Sequence, residues 1–186
     1  KSSRWFRKFG LELKKIADID ISTEREVEVP RGILTTDGWE IIEDESIDIV
    51  VELIGGLEPA RSFILEALKR GKSVVTANKA VIAAYGDELF RTASEKGVGL
   101  MLEASVGGGI PIIRSIRQGI SSNRVESIYA ILNGTTNYIL TRMESEGLSF
   151  DDVLKKAQQE GYAEADPSLD IDGKDAAQKL IILLRI

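Results

Sequence analysis

The sequence predicts an α/β protein: an open, doubly wound parallel sheet followed by a region of different texture. Three observations predict it. Apolar runs alternate with segments of helical period from Leu13 to about Glu103, the pattern of successive βαβ units. The run over Ile47 to Ile54 is nearly continuous, as strands covered on both faces are. Beyond Gly107-Gly108-Gly109 the alternation stops and helical patterns predominate.

The elements follow in order. Leu13 to Ile19 reads as a short strand, with a polar segment over Ser22 to Val29 and then Pro30. Thr36 or Asp37 can cap a short helix over Trp39 to Ile42. Ile47 to Ile54, broken only by Asp48 and Glu52, is the next strand, and Gly55-Gly56 ends it. Pro59 suits a helix start, and Phe63, Ile64, Ala67 and Leu68 recur at helical spacing until Gly71 stops them. Ser73 to Thr76 is a strand, Lys79 to Ala84 and Asp87 to Lys96 are helical, and Val98 to Leu102 is a third parallel strand. Ile110 to Arg117 is expected as a helix and Val125 to Leu132 as a strand. Thr135 or Thr136 caps a helix through Tyr138, Leu140 and Met143, and Ser149, with Asp151 and Asp152 behind it, opens another over Phe150 to Gln159. Gly161 to Asp172 is a polar loop. In a last helix, Lys174 to Arg185, the residues Ala176, Ala177, Leu180, Ile181 and Leu184 are expected to form the buried stripe.

Composition narrows the chemistry. The 186 residues include 24 Lys+Arg and 30 Asp+Glu, a formal charge of −6, with no His and no Cys. Ser-His and Cys-His nucleophiles, His- or Cys-ligated zinc and thiol redox chemistry are therefore excluded, and acid-base work falls to Lys, Asp, Glu or Tyr. The acidic balance argues against a nucleic-acid surface, and the locally basic Lys1 to Lys15 reads as a solvated helix face. No apolar run reaches membrane-spanning length and no signal peptide is recognisable, so a soluble cytoplasmic protein is expected. The chain opens at Lys1 without an initiator Met and closes inside an apolar pattern, which suggests a fragment.

Several groupings could carry chemistry. Glu164, Asp166, Asp170 and Asp172 crowd one loop. Ser168, Asp170, Asp172 and Gly173 fall on positions 1, 3, 5 and 6 of an EF-hand register, but Lys179 stands at position 12, where a bidentate Glu is required. Asp175 lies one helical turn before Lys179, either as a surface ion pair or as a pair at the margin of the buried stripe, where an ammonium can exchange protons. Asn78 and Lys79 fall where a parallel strand passes into a helix, the usual ligand side of such sheets, or they are a helix cap and an exposed lysine. Gly55-Gly56 is either a turn or a place of close ligand approach. Glu103 with Gly107 to Gly109 suggests an anion nest or a cation site of one carboxylate and several carbonyls. Asn133-Gly134-Thr135-Thr136 is either an anion-holding helix start or a turn and a cap.

Five segments together resemble the homoserine dehydrogenase family: Asp48 to Gly56, Val75 to Ala80, Glu103 to Ile112, Asn133 to Leu140, and Gly161 to Pro167 with Asp172 to Lys179. They stand in the family's order. The resemblance implies a partial Rossmann-type parallel sheet over residues 1–105, the nucleotide-binding domain without its first strand and glycine-rich loop. It also implies an α+β substrate-binding, catalytic and dimerisation domain over 106–186, incomplete at its C-terminal end. The implied activity is interconversion of L-homoserine and L-aspartate 4-semialdehyde with hydride transfer to or from NAD or NADP, in threonine, methionine and isoleucine biosynthesis. The alternatives are a non-catalytic truncated domain, or another Rossmann-type amino-acid or semialdehyde dehydrogenase.

The resemblance also implies residue roles. Lys179 would be the catalytic acid/base and Lys79 a second lysine between cofactor and substrate. Glu164, Asp170, Asp175, Gly134 and Thr135 would contact substrate, and Gly55, Lys79 and Gly161 cofactor. Glu103 with the carbonyls of Val106, Gly108 and Ile110 would hold a monovalent cation, usually sodium. A homodimer is implied. With Leu13 to Ile19 as the second strand, Ser2 to Phe9 would be the tail of the first helix, and weak NAD(P)H binding is expected of the chain as it stands. Asp18, near the end of that strand, would favour the 2′-hydroxyl of NAD.

Overall fold

A computed structural model describes residues 8–23, 26, 27, 29, 30 and 32–186. The first helix tail expected over Ser2 to Phe9 lies, for residues 2–7, outside the described residues, as do three positions of the polar segment Ser22 to Val29. The chain forms two compact units, one of Lys1–Val75 with Asp87–Met101 and one of Thr76–Gly86 with Leu102–Ile186.

The first unit is α/β. β1 (Ile16–Ala17) pairs in parallel with β2 (Leu34–Thr35), and a second sheet has the order β3 (Ile49–Glu52), β4 (Ser73–Thr76), β5 (Leu100–Met101), with β4 and β5 parallel. Helix α1 (Trp39–Glu43) begins where the Asp37 carboxylate accepts the Trp39 N–H at 2.8 Å. Helix α2 (Ala60–Lys69) begins behind Pro59 and buries Ala60, Ile64, Ala67 and Leu68; the last three belong to the stripe that its spacing predicts, whose Phe63 is half-buried. Trp39 and Phe63 join the two helices edge to face, with ring centroids 5.0 Å apart.

β3 departs from the expectation of burial on both faces. Val50 and Glu52 are buried, while Ile49 and Val51 are 47% and 60% exposed. Helix α2 packs against β3, and the opposite face, which also carries Val75 and Met101, is open among the described residues. The continuous apolar run therefore reported strand propensity rather than two-sided cover. Two charged groups inside this unit are satisfied by backbone. The buried Lys72 ammonium donates to the carbonyls of Asp44 and Ile47 at 2.6 and 2.8 Å, and the buried Glu52 carboxylate accepts the N–H of Ile54 at 2.8 Å.

Helix α3 (Lys79–Lys96) is one element where two were expected. Buried Val81, Ile82, Leu89 and Ala93 keep helical spacing through Gly86, and that burial outweighs the roughly 1 kcal/mol that a helical glycine costs relative to alanine.

The second unit is helical among its described residues. A 3₁₀ turn (Glu103–Ser105) leads to α4 (Ile112–Arg114), which runs into a π turn over Ser115–Gly119. The longer helix expected over Ile110 to Arg117 is cut short because Pro111 delays its start and Ile113 is the only buried residue of α4. The strand expected over Val125 to Leu132 does not form. Val125, Tyr129 and Ile131 are 51%, 93% and 78% exposed, and a strand needs a neighbour to take its backbone hydrogen bonds.

Helix α5 (Gly134–Glu146) is capped by Asn133, whose side chain accepts the Thr136 N–H, instead of by Thr135 or Thr136. Gly147, in the left-handed conformation, ends it. Helix α6 (Phe150–Gln159) has the expected Ser149 cap and packs on α5 around Ile139, Val153, Ala157 and Ala163. A short helix α7 (Ser168–Ile171) forms inside the expected loop and precedes α8 (Lys174–Arg185). The buried face of α8 is not the predicted stripe. Asp175, Ile182 and Leu183 are buried, whereas Leu180, Ile181 and Leu184 are 38%, 40% and 69% exposed. A network of ion pairs and hydrogen bonds draws the Asp175 side of the helix inward.

Candidate functional site

The network centres on Asp175, which is 5% exposed in the first turn of α8. Its Oδ2 accepts the Lys179 ammonium at 2.7 Å, one turn along the same helix, and the Asn133 side-chain amide at 2.8 Å. Its Oδ1 faces the Lys79 ammonium at 3.1 Å. A buried carboxylate with two cations and an amide has all its strong partners, which is the condition for keeping a charge inside a protein. Burial alone would push the Asp175 carboxyl up, but the hydrogen bonds from Asn133, Lys179 and Lys79 outweigh it and hold the group below its ordinary value.

Each partner is positioned by local structure. Lys79 is the first residue of α3, set by Asn78, whose side-chain oxygen accepts the Val81 N–H at 3.1 Å while its own N–H donates to the Thr76 hydroxyl at 2.9 Å. Asn78 is thus the helix cap that the sequence allowed, and Lys79 nevertheless reaches a buried acid. Lys179 donates also to the Leu132 carbonyl at 2.7 Å. Asn133 caps α5 with its oxygen and turns its NH₂ to two carboxylates, Asp175 and Asp170, the latter at 2.6 Å.

Beside this cluster is an open hollow of about 660 Å³, lined by Asn133, Gly134, Thr135, Asn137, Tyr138, Thr141, Arg142, Gly161, Tyr162, Asp170, Asp175 and Lys179. Tyr138 and Tyr162 stack with centroids 4.6 Å apart, and the Arg142 guanidinium lies over Tyr138. The Thr135 hydroxyl donates to the Tyr162 carbonyl at 2.9 Å, which ties the start of α5 to the turn at Gly161. The arrangement offers ammonium donors, carboxylate acceptors and a helix start around one polar hollow, and so could bind a small zwitterion and pass a proton to or from it.

Of the residues singled out from sequence, Lys79, Asp170, Asp175 and Lys179 come together, and Gly134, Thr135 and Gly161 line the hollow. Glu164 lies on the exposed turn after α6, where its backbone carbonyl accepts the Gln158 side chain at 3.2 Å, and it is not among the lining residues. Gly55 belongs to the first unit, with φ +81°. Glu103 accepts the N–H groups of Ile113 and Arg114 at 3.0 and 3.1 Å, so its loop is folded onto the start of α4, with Val106 buried and Gly108 and Ile110 exposed. Among the described residues no three Asp or Glu side chains are grouped as a metal site. Asn133, Asn137, Tyr138, Arg142 and Tyr162 were not predicted as site residues. Asn133 carried a signal, since an Asn preceding Gly-Thr-Thr is both a helix cap and an amide donor.

A family model described as homoserine dehydrogenase, NAD binding domain, matches residues 2–103, and one described as homoserine dehydrogenase matches 111–186. The homoserine dehydrogenase of Synechocystis sp. is 57% identical over 174 residues, 94% of this chain and 40% of the relative, and that of Bacillus subtilis is 47% identical over the same shares. The chain thus spans about 40% of the length of these relatives. A crystal structure of S. aureus homoserine dehydrogenase at pH 8.5 superposes with a TM-score of 0.81 at 38% identity, covering 97% of this chain and 43% of that one. A hyperthermophilic archaeal homoserine dehydrogenase in complex with NADPH gives 0.75 at 34% identity, covering 98% and 52%. With both of its parts matched in order by the family's models, the chain belongs to the homoserine dehydrogenase family.

Proposed function

We propose that the protein to which this chain belongs interconverts L-homoserine and L-aspartate 4-semialdehyde using NAD or NADP, in the cytoplasmic synthesis of threonine, methionine and isoleucine. The observation that carries the reading is Lys179. Its ammonium has three N–H donors, two of which go to Asp175 and the Leu132 carbonyl. The third is left for a ligand in the hollow that Lys179 lines.

In the reducing direction, alkoxide character develops on the aldehyde oxygen, and Lys179 donates a proton to it. In the reverse direction the neutral amine takes the hydroxyl proton. Nicotinamide, when bound, supplies or accepts the hydride. Asp175 orients Lys179 and, through its other oxygen, Lys79, which supplies positive charge near the reacting carbonyl. Asp170 and Asp175, which line the hollow, present negative charge to the substrate's ammonium, Glu164 is proposed to join them from the exposed turn after α6, outside that lining, and Gly134 and Thr135 at the start of α5 face its carboxylate.

Gly55, Lys79 and Gly161 are proposed to meet the nucleotide. Gly55 and Gly161 have φ of +81° and +80°, and, chain neighbours aside, no heavy atom of the described residues lies within 4 Å of where a Cβ would stand, so their backbones are open to a ligand. Asp18, the residue after β1, would favour NAD. A monovalent cation, sodium in the first instance, is proposed for Glu103 with the carbonyls of Val106, Gly108 and Ile110. The N–H bonds to Glu103 fix its direction and leave acceptor capacity for a hard cation. The protein is proposed to be a homodimer, a reading supported by the exposed side chains of Val125, Tyr129 and Ile131, in a segment that forms no strand among the described residues.

The test is homoserine-dependent reduction of NAD⁺ and NADP⁺ by the full-length protein, followed by nicotinamide absorbance and compared with other hydroxy and amino acids. The expected result is turnover with homoserine above all others. Turnover confined to another amino acid or semialdehyde would favour a different dehydrogenase, and none with any substrate would favour a non-catalytic module.

A further inference from the structure

We infer that Asn133 is a positioning residue of this site, whose side-chain amide holds the Asp170 and Asp175 carboxylates apart and in place so that Asp175 can serve both lysines. The inference rests on the proposed proton transfer by Lys179 and adds a residue to it.

The two ends of the amide face partners that no other residue type serves together. Its Oδ1 accepts the Thr136 N–H at 2.8 Å and the Thr136 hydroxyl at 2.9 Å. A backbone N–H can only donate, so this end must be oxygen. The other end lies 2.6 Å from an Asp170 oxygen and 2.8 Å from an Asp175 oxygen. Ionised carboxylates can only accept, so this end must be NH₂, and both of its hydrogens are used. Helix capping alone would be met equally by Ser or Asp. Aspartate would keep the cap but set a third carboxylate against the other two.

Burial makes the choice matter. Asn133 and Asp175 are 6% and 5% exposed, and in such surroundings an unmet acceptor or a like charge costs more than at the surface. The charged groups that face Asp175 are Lys79 from α3, Lys179 from its own helix and, across the amide, Asp170 from α7. Among the described residues, the Asn133 amide is the donor that the two acids share. Without it, Asp170 and Asp175 share a space with no donor between them, and Asp175 loses the contact that fixes the oxygen shared with Lys179.

The test uses Asn133→Asp and Asn133→Ser in the full-length protein, since both keep a capping acceptor. The expected result is kcat lower by about tenfold or more in each, with a cooperative melt retained. The Asn133→Asp deficit relative to wild type should narrow as pH falls, because a protonated carboxyl can donate one of the lost bonds, whereas the Asn133→Ser deficit should not. Apart from turnover, a ¹³C NMR titration should place the Asp175 carboxyl higher in Asn133→Asp than in wild type. Wild-type kcat in both variants with an unchanged Asp175 titration would overturn the inference and leave Asn133 as a helix cap. If the wild-type protein does not turn over homoserine, the functional reading fails instead, and the Asp175 titration still decides the role of Asn133.

Discussion

The Lys179 ammonium donates to the buried Asp175 carboxylate at 2.7 Å from one turn along the same helix, and the opposite oxygen of that carboxylate takes Lys79 from another helix at 3.1 Å. One acid therefore locates both lysines. Its removal should be felt first in stability. Asp175→Ala removes the acceptor that two ammoniums and the Asn133 amide share, leaving Lys179 with the Leu132 carbonyl and Asn133 with Asp170. Breaking a fully buried ion pair costs about 3–5 kcal/mol. Because the Lys79 side chain is 37% exposed and can turn to water, the expected loss is smaller, about 2–3 kcal/mol. Denaturant unfolding of wild type and variant measures it.

The same carboxylate should give stability a pH dependence on the acid side. A carboxyl held below its ordinary value in the fold stabilises the protein at pH above its unfolded pKa, about 4, and that contribution is lost as pH falls through the folded value. Asp175 is shifted in this direction, against the upward push of burial, by Asn133, Lys179 and Lys79. The stability gap between wild type and Asp175→Asn should therefore be constant near neutrality and shrink below about pH 4. Unfolding free energies at a series of pH values check this, and a gap that widens in acid would contradict it.

A third expectation concerns the support beneath the hollow. Ile139, 1% exposed on α5, packs against Val153 and Ala157 of α6 and against Ala163. Ile139→Ala should cost about 2–4 kcal/mol through lost burial and a residual cavity. Since Tyr138, which lines the hollow and stacks on Tyr162, packs against this core, substrate affinity should weaken as well. Urea midpoints and homoserine KM report the two effects separately.

Much of the fold was legible in residue patterns. The α2 stripe, the Ser149 cap and the extent of α8 all follow from spacing and capping chemistry. The misses share a cause. Ile49 and Val51 in β3, Val125, Tyr129 and Ile131 in the segment after the π turn, and Leu180, Ile181 and Leu184 in α8 were read as buried or paired because they are apolar, yet they are exposed among the described residues. Apolar composition records a preference and does not say which neighbour satisfies it. In α8 the error hid the main feature of the site. Asp175 was read either as a surface partner of Lys179 or as lying at the margin of a hydrophobic stripe, whereas the helix turns its charged side inward because Asn133 and Lys79, from distant parts of the sequence, meet it there. The lysine and aspartate positions were recognisable from motif resemblance. The bridging role of Asn133 was not, because it depends on two carboxylates in a loop and a helix remote from it in sequence.

The central claim is that Lys179 moves the proton. Lys179→Ala in the full-length protein, shown to be folded by circular dichroism and a cooperative melt, should be assayed for homoserine-dependent reduction of NAD⁺ and NADP⁺. The account predicts a fall in kcat on the order of a hundredfold or more, the usual contribution of a positioned acid-base group. Wild-type turnover by folded Lys179→Ala would contradict it.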